Sequence, residues 1–329
     1  MRADGAGMDT PPDELRAATL PVALISHAAC RLHQMAPGHP EQPARVSVIA
    51  EELRARGLHD LLAHYEAPRA TDEQLARVHP PGYIELIRSR APAAGLEQLD
   101  PDTAMCPDTL EAALRAAGSN VLAVDLVMSG RARRAFCNVR PPGHHAERAR
   151  AMGFCFFNNV AVGAAHALER HGLERVAILD FDVHLGNGTE DVFRDDGRVL
   201  LCSLYQYPLY PDMDPPSVPG HIVNCPLPAG SGSEAFRAVV SEQWLPALEA
   251  FAPQMIFVSA GFDAHAADPL AGLRLATEDY GWVTDAACAV ADRHAGGRVV
   301  STLEGGYDLS ALAASAAAHV ERLMANATE

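Results

Sequence analysis

Six short apolar runs, separated by helical stretches, constrain this chain more than any other feature of its sequence. The runs are Val22–Ser26, Ala135–Val139, Val176–Asp180, Val199–Leu204, Met255–Ala260 and Val299–Leu303. Each reads as a strand buried on both faces. Between them lie helical patterns over 41–56, 80–90, 109–129, 157–171, 233–250, 277–294 and 310–325. Alternation of this kind predicts an α/β protein: a central, mainly parallel sheet covered by helices on both faces. No repeat or linker-like stretch interrupts it. Residues 20–329 are therefore expected to form a single domain behind a flexible tail at 1–19, with loops at 207–220 and 226–232.

In open parallel sheets, ligands bind beyond the carboxyl ends of the strands. The polar residues of this chain concentrate there. Ala135–Val139 runs into Arg140-Pro-Pro-Gly-His-His145, and Val176–Asp180 into Phe-Asp-Val-His184. Met255–Ala260 runs into Gly261-Phe-Asp-Ala-His-Ala-Ala-Asp268, and Val299–Leu303 into Glu304-Gly-Gly-Tyr307.

If the third strand continues to His184, then Asp180, Asp182 and His184 share one face, because side chains two apart in a strand point the same way. Two buried carboxylates and an imidazole side by side call for a divalent cation, and Asp and His are ordinary zinc ligands. A catalytic zinc takes three protein ligands and keeps a position open. Asp268, ahead of Pro269, is the best-placed third ligand, with Asp263 and His265 as rivals. His144 and His145 follow a stiff Pro-Pro-Gly turn and suit proton transfer. Tyr307 follows two glycines that permit close approach, and Phe154 follows Gly153 where an aromatic ring lines a pocket or packs in the core.

The formal net charge of −16 and the absence of clustered Lys and Arg argue against a nucleic-acid partner. None of the seven cysteines forms a C-x-x-C pair, and most sit in apolar runs, so they read as core residues of a reducing, cytoplasmic protein. No signal peptide and no bilayer-spanning window are expected.

Six blocks taken together resemble the histone deacetylase family, in particular its class II-like bacterial members. They are His39-Pro-Glu-Gln-Pro-Ala-Arg45, Arg140-Pro-Pro-Gly-His-His145, Gly153-Phe-Cys-Phe-Phe-Asn-Asn159, Asp180-Phe-Asp-Val-His-Leu-Gly-Asn-Gly-Thr189, Ser259–His265 with Asp268-Pro269, and Glu304-Gly-Gly-Tyr307. They occur in the family's order and span 20–325. The resemblance implies a three-layer arginase/histone-deacetylase-like fold and hydrolysis of an acetyl-lysine-type amide to acetate and free amine. It implies one catalytic Zn2+ per chain on Asp182, His184 and Asp268, ligands that also accept Fe2+. His145 becomes the principal base and then acid; Asp180 bonds His144, Asn187 orients His145, and Tyr307 bonds the scissile carbonyl. Phe154, Tyr210, Gly153 and Gly305 belong to the substrate site, Asp102 is its rim carboxylate, and Arg45 belongs to an acetate-release channel. A structural K+ is implied on the side chains of Asp180 and Ser203 and the backbone oxygens of Asp182, His184 and Leu204.

Leu275 is expected at the mouth, where polyamine-specific members carry Glu, so the substrate expected is an acetylated lysine side chain before a small acetylated amine. A homo-oligomer is compatible with this reading. A dinuclear ureohydrolase of the same fold needs a further carboxylate after Asp182-Val-His184, where Leu185-Gly186 stands. A non-catalytic binding module sharing the fold is separated from an enzyme by amide hydrolysis of an acetyl-lysine peptide.

Overall fold

The computed structural model of the protein describes residues 21–325, so the tail expected at 1–19 lies outside the described residues. The strands are β1 (Val22–Ser26), β2 (Ala63–Glu66), β3 (Glu97–Asp100), β4 (Thr103–Met105), β5 (Arg134–Cys137), β6 (Val176–Asp180), β7 (Val199–Gln206), β8 (Ile222–Leu227), β9 (Ile256–Ala260) and β10 (Val299–Leu303). Eight of them form one sheet in the order β2-β1-β5-β10-β9-β6-β7-β8, with every neighbouring pair parallel. β3 and β4 make a separate antiparallel hairpin.

The six expected strands are the six interior ones. The two edge strands lack a comparable signal, for a physical reason. β2 alternates half-buried and exposed residues, and β8 carries Pro226, which is tolerated at a sheet edge. Neither presents the continuous apolar run of a strand covered on both faces.

Strand alternation divides the core in two. Ala23, Ile25, Ile178 and Val300 pack with helices Thr109–Met128 and Asn159–His171 on one face. Val22, Leu24, Leu179 and Val299 pack with helices Ala44–Ala55, Thr277–His294 and Leu309–Met324 on the other. The result is the expected three layers. All seven cysteines are buried and unpaired, as their apolar surroundings in the sequence suggest.

Candidate active site

β5, β10, β9 and β6 are consecutive neighbours at the centre of the sheet. Their carboxyl ends carry the four polar segments, so residues as distant in sequence as His145 and Tyr307 meet above it. There they bound a cavity of about 280 Å3 lined by Asp102, His145, Gly153, Phe154, His184, Leu209, Tyr210, Leu270 and Tyr307.

β6 stops at Asp180, and the chain bends through 181–184. The strand does not continue to His184, which corrects the same-face argument. Asp180, Asp182 and His184 are gathered instead by successive side-chain-to-backbone turns. Asp180 Oδ1 accepts from the Asp182 N–H at 3.1 Å, and Asp182 Oδ1 from the His184 N–H at 2.9 Å. Asp263 Oδ1 accepts the Val183 N–H at 2.9 Å, tying this bend to the end of β9.

His144 and His145 occupy different electrostatic settings. The Gly143 and His144 N–H groups donate to Glu304 Oε2 at 2.6 and 3.1 Å, which fixes the turn. His144 Nδ1 lies 3.0 Å from Asp180 Oδ2. Burial opposes its charge, but the Asp182 and Asp180 carboxylates outweigh burial and raise its pKa well above the usual value. His145 Nδ1 lies 2.8 Å from Asn187 Oδ1. Burial, then the charges of His144 and His184, push its pKa well down. One imidazole is held charged and its neighbour neutral, with ring centroids 4.0 Å apart.

The ligand atoms of Asp182, His184 and Asp263, all buried, lie within 4.8 Å of one another. His184 Nδ1 sits 3.0 Å from Asp182 Oδ1 and 3.2 Å from Asp263 Oδ2. These carboxylates outweigh burial and lift His184 to about 10. Asp263 is fully buried, and a Cβ on Gly305 would fall 2.0 Å from its Oδ2. Asp268, the third ligand expected from the sequence, is outside this set, and its rival Asp263 is inside it. Asp268 is 8% exposed, as is His184, and its Oδ2 accepts the Tyr307 N–H at 2.7 Å. Burial, then the Asp263 charge, raises Asp268 to about 6. Gly305 is required here, because any Cβ would collide with Asp263 and Asp182 while its N–H donates to Asp182 Oδ2 at 2.8 Å.

Phe154 and Tyr210 both line the cavity. Phe154 takes φ 67°, uncommon for a non-glycine residue, and hydrogen bonds hold it there. Its N–H donates to Thr103 Oγ1 at 2.9 Å, and the Gly153 N–H donates to Asp102 Oδ1 at 3.0 Å. The β3–β4 hairpin thus carries the rim carboxylate and fixes one wall. Gly153 has φ 55°, and a Cβ there would stand 2.4 Å from the His145 ring.

Leu275 is not at the mouth. It is fully buried in the core, and its N–H donates to the Ala264 carbonyl at 3.0 Å. The chain turns inward after Asp268, so the residue lining the cavity is Leu270, whose N–H donates to Asp268 Oδ1 at 2.9 Å.

A histone deacetylase domain is matched across residues 39–323. A histone deacetylase-like amidohydrolase of Pseudomonas aeruginosa is 42% identical over 279 residues, covering 83% of this chain and 73% of that protein. The polyamine deacetylase HDAC10 of Homo sapiens is 36% identical over 302 residues, covering 86% of this chain and 44% of that protein. The solved HDA15 HD domain matches with a TM-score of 0.85 at 30% identity, covering 94% of this chain and 91% of that one.

The chain belongs to the histone deacetylase family. That is a family of deacetylases and other amidohydrolases.

Several residues on which this family member's site depends carry no single-residue signal in the sequence. Glu41 accepts from Arg140 Nε and Nη2 at 2.5 and 2.6 Å and from Arg45 Nη1 at 3.1 Å, all fully buried. Arg45 Nε in turn donates to the Gly306 carbonyl at 2.7 Å, and its guanidinium lies 4.9 Å from the Tyr307 ring centroid. This network joins the His39–Arg45 block to the Tyr307 turn. Glu304 and Leu270 likewise have no signal beyond their membership of the polar segments and the loops that continue them.

A second group, Asp125, His166 and His171, also brings three ligand-type side chains together. Arg77 Nη1 lies 2.7 Å from His166 Nδ1, and a guanidinium can only donate. His166 therefore carries its proton on Nε2, toward Asp125, and offers no lone pair there. The group is a hydrogen-bond network and shares no residue with the cavity.

Among the described residues, no helix is long and apolar enough to cross a membrane.

Proposed function

We propose that the chain is a zinc-dependent deacetylase, a single catalytic domain that hydrolyses acetyl-lysine-type amides to acetate and free amine. The observation that carries this reading is the buried carboxylate–imidazole cluster at the foot of a cavity walled by two aromatic rings. Asp182 and Asp263 crowd His184, and Asp263 Oδ2 is buried without a hydrogen-bond partner. Such a donor set suits a divalent cation. Asp182 and His184 would hold zinc, with Asp268 as third ligand, because its carboxylate is tied to Leu270 and Tyr307 on the cavity wall, where an open position is needed. Asp263, fully buried against His184, would support that imidazole. Bound there, zinc supplies a Lewis acid and lowers the pKa of water to about 7.

The other roles belong to the chain itself. His145, neutral and lining the cavity, takes the proton of the attacking water and returns it to the leaving amine. His144, charged between Asp180 and Asp182, stabilises negative charge beside it. Burial keeps the Tyr307 phenol protonated, so it donates to the carbonyl oxygen as charge develops there. Arg45 fixes the Tyr307 turn and would serve the acetate path. Potassium would bind at Ser203, whose Oγ is fully buried with no hydrogen-bond partner and which pairs in register with Asp180. The buried, unpaired cysteines support a cytoplasmic location.

Tyr307→Phe is expected to lower kcat by roughly 10²–10³ with a much smaller change in KM, as for the loss of other oxyanion donors. Steady-state kinetics check this, and wild-type kcat in the variant would show that the hydroxyl does not reach the reacting carbonyl.

The cavity favours a neutral methylene chain between Phe154 and Tyr210, each buried CH2 contributing about 0.8 kcal/mol. Leu270 offers no carboxylate to an ammonium group. Acetyl-lysine peptides are therefore expected to exceed N-acetylspermidine and N-acetylputrescine in kcat/KM, and Leu270→Glu to narrow the gap. A small acetylated amine is the second reading, favoured by the similarity to human polyamine deacetylase HDAC10. The test is a substrate panel on one zinc-loaded preparation. The chain contains no lysine, so any acetyl-lysine turnover belongs to the added substrate. A wild-type preference for acetylpolyamines would establish the second reading.

A further inference from the structure

Asn187 meets two partners through opposite sides of one amide. Its Oδ1 lies 2.8 Å from His145 Nδ1, and its Nδ2 donates to Glu147 Oε1 at 2.9 Å. Met152 Sδ is a weaker second acceptor for Nδ2, at 3.4 Å. The two ends of an amide have nearly the same shape, so the partners decide which end faces His145. An ionised carboxylate only accepts, so Glu147 takes the NH2 and leaves the oxygen for His145. An acceptor at Nδ1 requires the proton on Nδ1, and the neutral ring then keeps its lone pair on Nε2.

The backbone fixes this arrangement. The Glu147 N–H donates to the Arg150 carbonyl at 3.0 Å, and the Arg148 N–H donates to Asp191 Oδ2 at 2.8 Å. Asp191 belongs to helix Asn187–Phe193, which begins with Asn187 itself. Glu147 is half-buried and lines a separate cavity of about 250 Å3 that shares no lining residue with the substrate cavity. It touches Asn187 and lies outside the substrate site.

We propose that Glu147 is a positioning residue that sets the amide orientation of Asn187 and, through it, the tautomer of His145. The inference rests on the proposed role of His145 as base. It is tested by replacing the acceptor with a donor. In Glu147→Lys the amide turns, its NH2 meets Nδ1, and the Nε2 lone pair is lost from the major tautomer. kcat is expected to fall on the order of 10², the lower end for loss of a general base, with KM within about twofold.

Glu147→Gln still accepts through its own amide oxygen and keeps kcat within about threefold of wild type. The double variant Glu147→Lys/Asn187→Asp presents a carboxylate to both the new ammonium and Nδ1–H. It is expected to regain roughly tenfold over Glu147→Lys, whereas independent structural damage would add. Nitrogen NMR of the imidazoles is expected to show the proton of His145 moving from Nδ1 to Nε2 in Glu147→Lys alone.

Wild-type kcat in Glu147→Lys, an unchanged His145 tautomer, or a double variant no better than the single would overturn the inference while leaving the proposed hydrolysis standing. A wild-type protein that hydrolyses no acetyl amide would overturn both.

Discussion

Stripping the metal with a chelator is expected to abolish amide hydrolysis, and about one equivalent of zinc per chain to restore it. The reason lies in the charges above the sheet. Asp182 is held well below the usual carboxylate range; burial opposes its charge, but His144 and His184 outweigh burial. His184 is pushed up to about 10 by its carboxylate neighbours, which outweigh burial. Asp263 is raised by burial and then by the Asp182 charge, and Asp268 is raised to about 6 by burial and then by Asp263. Without a cation, therefore, the cluster keeps protons that a metal would displace. Binding should release protons and raise the melting temperature, by linkage worth about 2.7 kcal/mol when free metal exceeds its Kd a hundredfold.

Metal content by elemental analysis, melting temperature and activity should move together. Asp268→Asn should lose both metal and activity. A protein that keeps its metal in Asp268→Asn and loses it in Asp263→Asn would transfer the third-ligand role to Asp263. Full activity in metal-free protein would sink the metal-dependent reading altogether. The same titration with Fe2+ decides between the two metals that accept these ligands.

His145→Ala is expected to cost roughly 10²–10⁴ in kcat, the range for loss of a general acid–base group, and His144→Ala less. The pair differs in environment. His144 faces Asp180 and Asp182 and stays charged, so it has no proton vacancy to offer near neutral pH. His145 faces a neutral amide, and burial, then the charge of His144, hold its pKa well below the usual histidine range.

The same pair sets the sign of a pH effect. His144 lowers the pKa of His145, so removing that charge raises it. The acidic limb of the pH–rate profile, where His145 takes up a proton, should therefore shift to higher pH in His144→Ala. Equal losses in the two variants, or an acidic limb that stays in place, would contradict this division of labour.

The six interior strands were legible because each is buried on both faces and so carries an unbroken apolar run. The edge strands β2 and β8 were not, because β2 alternates half-buried and exposed residues and β8 is interrupted by Asn224 and Pro226, which a sheet edge tolerates. The site residues were legible for a related reason. Asp182, His184, His144, His145 and Tyr307 come soon after apolar runs, and the end of a parallel strand is where ligands bind.

Two expectations failed. The family resemblance put Leu275 at the mouth, but the loop turns into the core before it, and Leu270 takes the lining position. Likewise, strand alternation suggests a shared face for Asp180, Asp182 and His184, whereas hydrogen-bonded bends after β6 gather them.

By itself, then, the sequence determined the layer architecture, the end of the sheet that carries the chemistry, and the residue types available to it. Those depend on local patterns: apolar continuity, periodicity, and the polar residues just past each strand. Only the tertiary structure decided which carboxylates crowd His184, that Glu304 anchors the His144 turn, and that Glu147 lies behind Asn187. It also separated a charged histidine from the neutral histidine next to it in the chain. These are properties of distance and burial between segments far apart in sequence. A few ångströms there choose between a metal ligand and its support, or between a base and a fixed charge, and no local pattern records them.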